Sequence, residues 1–163
     1  MDFTELGEIC THMPISVKHI DERHGLFSKA SGLLTGTELL WAIAGVNTSG
    51  LKEKPVLYTF LDMDDITGVE ISTAHLREAA ELAITGSHYQ GVARLVAICA
   101  RGDLPFALAR MWMVFAEVAG WETLVFRGRS EAVAWLRELT TSKFGIQLSL
   151  DLDAEGADPG RPA

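Results

Sequence analysis

The spacing of apolar positions changes several times along the chain, and each change marks an element. In 15–22, ISVKHIDE, Ile15, Val17 and His19 alternate with Ser16 and Lys18. A period of two is the mark of a half-buried strand. The alternation returns in 26–34 after the turn residues His24 and Gly25, so the two stretches read as an N-terminal hairpin. Thr35-Gly36-Thr37-Glu38 has the form of a capping box, with Thr35 placed to cap and Glu38 to reach back. The helix it opens carries Leu39, Leu40, Ile43 and Val46 on one face, and 47–55 reads as a polar loop.

From 56 to 63 the apolar residues run without alternation, as in a central strand covered on both faces. Leu76, Ala79, Ala80 and Ala83 then repeat at helical spacing over 73–85, with Gly86 as the expected stop. A second buried strand is expected at 92–100, followed by a helix over 104–119 that Asp103 caps and Pro105 opens. The last core strand spans 122–127, and Ser130 is placed to cap a final helix reaching 139. Segment 145–150 has the makings of a short added strand, and 151–163 is rich in Asp, Gly and Pro. Strands that alternate with helices imply parallel pairing and right-handed crossovers. The expected fold is α/β: a mixed, mostly parallel sheet with an N-terminal β-hairpin and helices over the sheet. The expected organisation is an arm at 1–14, one domain at 15–140 and an extension at 141–163.

Composition narrows the function. The chain has 163 residues, 48% of them apolar, and a net charge of −8, which disfavours a broad nucleic-acid footprint. No apolar run approaches the length of about 20 residues that spans a bilayer. No basic n-region precedes an apolar core, so a cytoplasmic location is expected. Cys10 and Cys99 lack the spacing of a metal or redox pair, and Cys99 lies inside an apolar run. The five histidines show no HxxxH or HExxH spacing, and no GxSxG, GxGxxG or Walker pattern occurs. Neither a metal nor a cofactor is expected, and no catalytic constellation stands out.

Three stretches invite attention. Asp62, Asp64 and Asp65 follow an apolar strand, where ligand crevices form in α/β sheets. Carboxylates there can hold Mg²⁺ or accept phosphate. That chemistry also wants a lysine at a third strand end, and the ends offer Arg101, Asp103, Arg127 and Arg129 instead. The arginines could cradle an anion, or simply neutralise nearby acids. Ser72 and Thr73 sit at a helix start, where a hydroxyl caps free N–H groups and a phosphate would be favoured. The helix 104–119 carries only Arg110 and Glu117 as charges beyond its first turn, and Met111, Trp112, Met113, Val114 and Phe115 are consecutive. They cannot all face one sheet, so something must cover the remainder. Phe106, Arg110, Met111, Trp112, Met113 and Phe115 are therefore candidates for a homodimer contact or an apolar-ligand site.

GLLTGTEL at 32–39, DLPFALARMWMVFAEVAGWETLVFR at 103–127 and SEAVAWL at 130–136 resemble motifs of the SpoIIAA-like group of STAS domains, also called STAS/SEC14-like. The resemblance covers roughly 15–140 and implies the fold of the bacterial anti-anti-sigma factors. In those proteins a serine in an Asp-Ser-Ser-Gly turn is phosphorylated, and its charge switches partner binding. Ser72 and Thr73 fall where that serine would lie, although the Asp-Ser-Ser-Gly signature itself is absent. The resemblance thus implies a non-enzymatic regulatory or protein-interaction module, with Asp62, Asp64, Asp65, Ser72 and Thr73 on its partner loop. The alternative is a carrier or sensor for an apolar, lipid-like small molecule beneath the 104–119 helix.

Overall fold

The computed structural model describes residues 15–49, 55–90 and 94–148. Strand β1 (Ile15–Ile20) and strand β2 (Gly25–Thr35) pair antiparallel around a short 3-10 turn. Helix α1 (Gly36–Ser49) follows, then β3 (Tyr58–Glu70), α2 (Thr73–Gln90), β4 (Leu95–Cys99), α3 (Asp103–Val118), β5 (Glu122–Phe126) and α4 (Arg129–Phe144). The five strands form one sheet in the order β1-β2-β3-β4-β5, parallel from β2 onward. The expected hairpin and mostly parallel sheet are both present.

The three crossovers run the same way across the sheet, so one handedness places α1, α2 and α3 on one face. Their core holds Leu34, Ile43, Met63, Leu76, Val96, Ile98 and Trp112. Helix α4 follows the last strand and has no crossover to make. It covers the other face, where Ala132, Val133 and Leu136 pack on Phe27, Tyr58, Phe60, Leu95 and Ala97. Alternate residues of β4 serve the two cores, which explains its unbroken apolar sequence.

Five expectations are corrected. Strand β3 does not stop near Met63 but continues to Glu70, pairing with β2 through two register shifts. Segment 62–70 is therefore strand rather than loop. Helix α2 passes Gly86, which is buried within it, and ends at Gln90. Asp103 and Ser130 are not N-caps: Gly102 and Gly128 take those positions without a side-chain bond. Helix α4 runs to Phe144, where Gly145 at φ 66° ends it in the left-handed conformation. Residues 145–148 form no strand. The expected arm at 1–14 and the tail from 149 lie outside the described residues.

Candidate functional site

The polar residues singled out in the sequence gather where β4 ends and β3 continues. The register sets Lys29 opposite Asp62, Asp62 opposite Cys99 and Cys99 opposite Phe126. Asp62 shares the α4 face with Phe60, and the start of α4 delivers Arg129 onto it. Arg129 Nη1 donates to Asp62 Oδ2 at 2.9 Å, with the two side chains only 11% and 6% exposed. The guanidinium also lies 5.6 Å and 5.3 Å from the ring centres of Phe27 and Phe60. The second oxygen of Asp62 accepts the Asp64 N–H at 2.9 Å, beside the first register shift.

Asp64 accepts the backbone N–H of Arg101 at 2.9 Å and faces the Arg101 side chain at 3.4 Å. Asp65 meets Lys29 at 2.9 Å, and this ion pair raises the lysine's pKa above its ordinary value. A lysine does reach the cluster, from inside β2 rather than from a strand end. Cys99 Sγ lies 3.9 Å from Asp64 Oδ2. Burial, then the nearby charges of Asp64 and Asp62, push its thiol up to about 12. A thiol held protonated in this way is a packing group and not a nucleophile. Arg127 donates to Asp103 at 2.8 Å and to the Arg101 carbonyl at 2.7 Å, and stacks 3.9 Å over Phe106. Each aspartate of the cluster thus has a basic partner. Among the described residues no group of three or more His, Cys, Asp or Glu is placed to hold a metal ion.

Ser72 precedes the first residue of α2 and caps it. Its Oγ accepts the His75 N–H at 3.2 Å, while His75 Nδ1 accepts the Ser72 N–H at 3.1 Å. This is a capping box with histidine in the place of the usual acid. The His75 ring lies over Gly36, where an added Cβ would fall 2.2 Å from it, so the starts of α1 and α2 interlock. Thr73 is the first helical residue and is exposed.

Helix α3 presents two different stripes. Pro105, Ala109, Trp112 and Ala116 are buried against the sheet, with Trp112 edge-on to Trp121 at 6.1 Å. Trp112 therefore lies in the core and not on the outer face, and Phe106 lies beneath Arg127. Met113 and Phe115 are half-buried, and Arg110 is exposed. On the outer side Leu104, Met111, Val114 and Val118 are 55%, 45%, 63% and 73% exposed. Beneath α3 lies a cavity of ≈ 110 Å³ between the sheet and α1, walled by Leu39, Ile43, Leu61, Val96, Leu108 and Trp112 among others. Arg94 also lines it, its guanidinium 4.8 Å over Trp121 and its Nε donating to the Val56 carbonyl at 3.2 Å. Burial lowers the pKa of Arg94 to about 10, which leaves it charged at neutral pH.

Two of these residues carry no mark in the sequence. Lys29 and Arg94 lay inside apolar stretches and gave no spacing signal. The outer stripe did carry one, since Leu104, Met111 and Val118 are seven apart.

No protein-family model matches the chain. No curated protein matches it either. Among solved structures it is similar to an uncharacterized protein of the DUF3478 family with a SpoIIAA-like fold from Shewanella loihica PV-4. The two are 21% identical, with a TM-score of 0.48 over 75% of this chain and 93% of that one.

Proposed function

We propose that the chain is a non-enzymatic interaction module of regulatory type, and that the outer face of α3 is its contact surface, used first for self-association. The observation that carries this reading is the apolar stripe of Leu104, Met111, Val114 and Val118, left in solvent by the described residues. Scattered apolar surface residues are ordinary, but a continuous row along one helix marks an interface. The polar cluster supports the same reading, because its acids are matched by arginine or lysine and its thiol is kept protonated. The test is sedimentation velocity on the full chain. The wild type is expected to dimerise with concentration and Val114→Lys to remain monomeric with an unchanged circular dichroism spectrum. A wild type that stays monomeric at high concentration sinks the reading. Ser72 and Thr73 are the places where a phosphate would bear on regulation, since it would sit on the free N–H groups of α2.

The cavity favours a second reading, a carrier or sensor for an apolar molecule. Its ≈ 110 Å³ is below the roughly 300 Å³ of drug-sized sites, so it suits a small apolar group or the end of an acyl chain. Trp112 and Trp121 in its wall provide the readout. Titration with benzene is expected to shift their fluorescence, and Ala109→Leu, which fills the space, to abolish the shift. An unresponsive wild type removes this reading.

A further inference from the structure

The outer face of α3 has a more specific pattern than apolarity. Leu104, Ala107, Met111, Val114 and Val118 are all exposed and spaced 3-4-3-4. That is the a/d spacing of a helix seam made for another helix. The two charges beyond the first turn, Arg110 and Glu117, are seven residues apart and flank the same side of the seam. Neither forms an ion pair with a described residue. They are also too far apart along the helix to pair with each other.

We infer that two copies pair through α3 antiparallel, about a two-fold axis near residues 112 and 113. The inference rests on α3 being the contact surface. Met111 of each copy then lies opposite Val114 of the other, and Ala107 opposite Val118. In this register Arg110 falls beside the other copy's Glu117, and symmetry repeats the ion pair. On the other flank Leu108 falls beside the other copy's Phe115. Both of these are half-buried and close the seam. A parallel pair would set Arg110 beside Phe115 and leave both charges without an opposite. An antiparallel pair also aligns the helix dipoles favourably. The occupant is therefore a second copy of this chain, selected by charge complementarity that a two-fold contact satisfies twice.

Charge reversal tests the register. Arg110→Glu and Glu117→Arg are each expected to weaken dimerisation by about tenfold or more, because each brings like charges together at two places. The double variant restores the pairs with reversed polarity and is expected to return to within about threefold of wild type. Disulfide trapping on a Cys10→Ser background gives a second readout. Ala107→Cys mixed with Val118→Cys is expected to cross-link between copies, and Leu104→Cys to give no homodimer. A dimer that Val114→Lys dissociates, but in which the double reversal stays weak or Leu104→Cys cross-links to itself, overturns the antiparallel register alone. A monomeric wild type overturns the register together with the reading on which it rests.

Discussion

At the scale of single residues, burial decides which charges matter. Four ion pairs crowd this end of the sheet, yet they are unequal. Arg127 and Asp103 are exposed at 49% and 96%, and such pairs are worth less than about 1 kcal/mol. Asp62 and Arg129 are nearly sealed between β3 and the start of α4. Removing one partner of a buried pair leaves the other charged and desolvated, which costs about 3–5 kcal/mol. Asp62→Ala is therefore expected to lose about 3 kcal/mol in urea unfolding, whereas Asp103→Ala changes it by less than about 1 kcal/mol. Replacing both Asp62 and Arg129 by leucine is expected to recover much of the loss, since neither charge then remains buried. Equal effects of Asp62→Ala and Asp103→Ala would mean that the sealed pair is a packing contact only. Within the aspartate cluster it is Asp62 that ties the start of α4 to the sheet, through Arg129.

Helices and strands were readable from the sequence to the extent that their signals are local. Thr35 and Glu38 were matched as a capping box, and the Glu38 carboxylate accepts the Thr35 N–H at 2.9 Å. The end of β3 was not readable. Asp62, Asp64 and Asp65 look like the close of a strand, but β2 supplies partners as far as Thr35, and two register shifts let β3 follow it. Pairing between distant segments overrode local propensity there. Gly86 failed as a stop for a related reason, because a glycine costs only about 1 kcal/mol inside a helix that packing already holds. The polar site was half readable: its aspartates and arginines were found, but their pairing depends on which strands lie side by side. The cap of α2 turns into a prediction. Ser72→Ala is expected to lower stability by about 1 kcal/mol, and Ser72→Asp, itself a good cap, to leave it nearly unchanged. Gly36→Ala is expected to cost about 1–3 kcal/mol, because its methyl group drives into the His75 ring. Thermal unfolding of the three variants checks all of this, and a neutral Gly36→Ala would show that the two helix starts are not interlocked.

Across the whole molecule, the sheet separates two cores of different chemistry. The core under α1, α2 and α3 is almost wholly apolar and holds the cavity, while its third helix offers the outer seam. The core under α4 buries groups that titrate. Tyr58 is fully buried and donates its hydroxyl to Asp21; burial, then this bond, raises its pKa above the ordinary 10.0. Cys99 is likewise fully buried, and its thiol rises from 9.0 to about 12. Both groups stay protonated in the folded chain at pH values where the unfolded chain releases their protons. Their contribution is complete below the unfolded value and is lost as pH climbs toward the folded one. The thiol acts first, from about pH 9, and the tyrosine follows from about pH 10. Arg94 works in the opposite sense, since its depressed value means that the unfolded chain holds the proton longer, but only above about 10. Between pH 8 and 10 the thiol therefore dominates among these three. Unfolding free energy measured in urea is expected to start falling near pH 9 and to steepen toward pH 10. Cys99→Ala, though less stable overall from the lost packing, is expected to flatten the slope. A Cys99→Ala slope as steep as wild type would assign the alkaline loss elsewhere. A flattened slope would place the molecule's alkaline weakness in the core under α4, on the opposite side of the sheet from the exposed apolar stripe of α3.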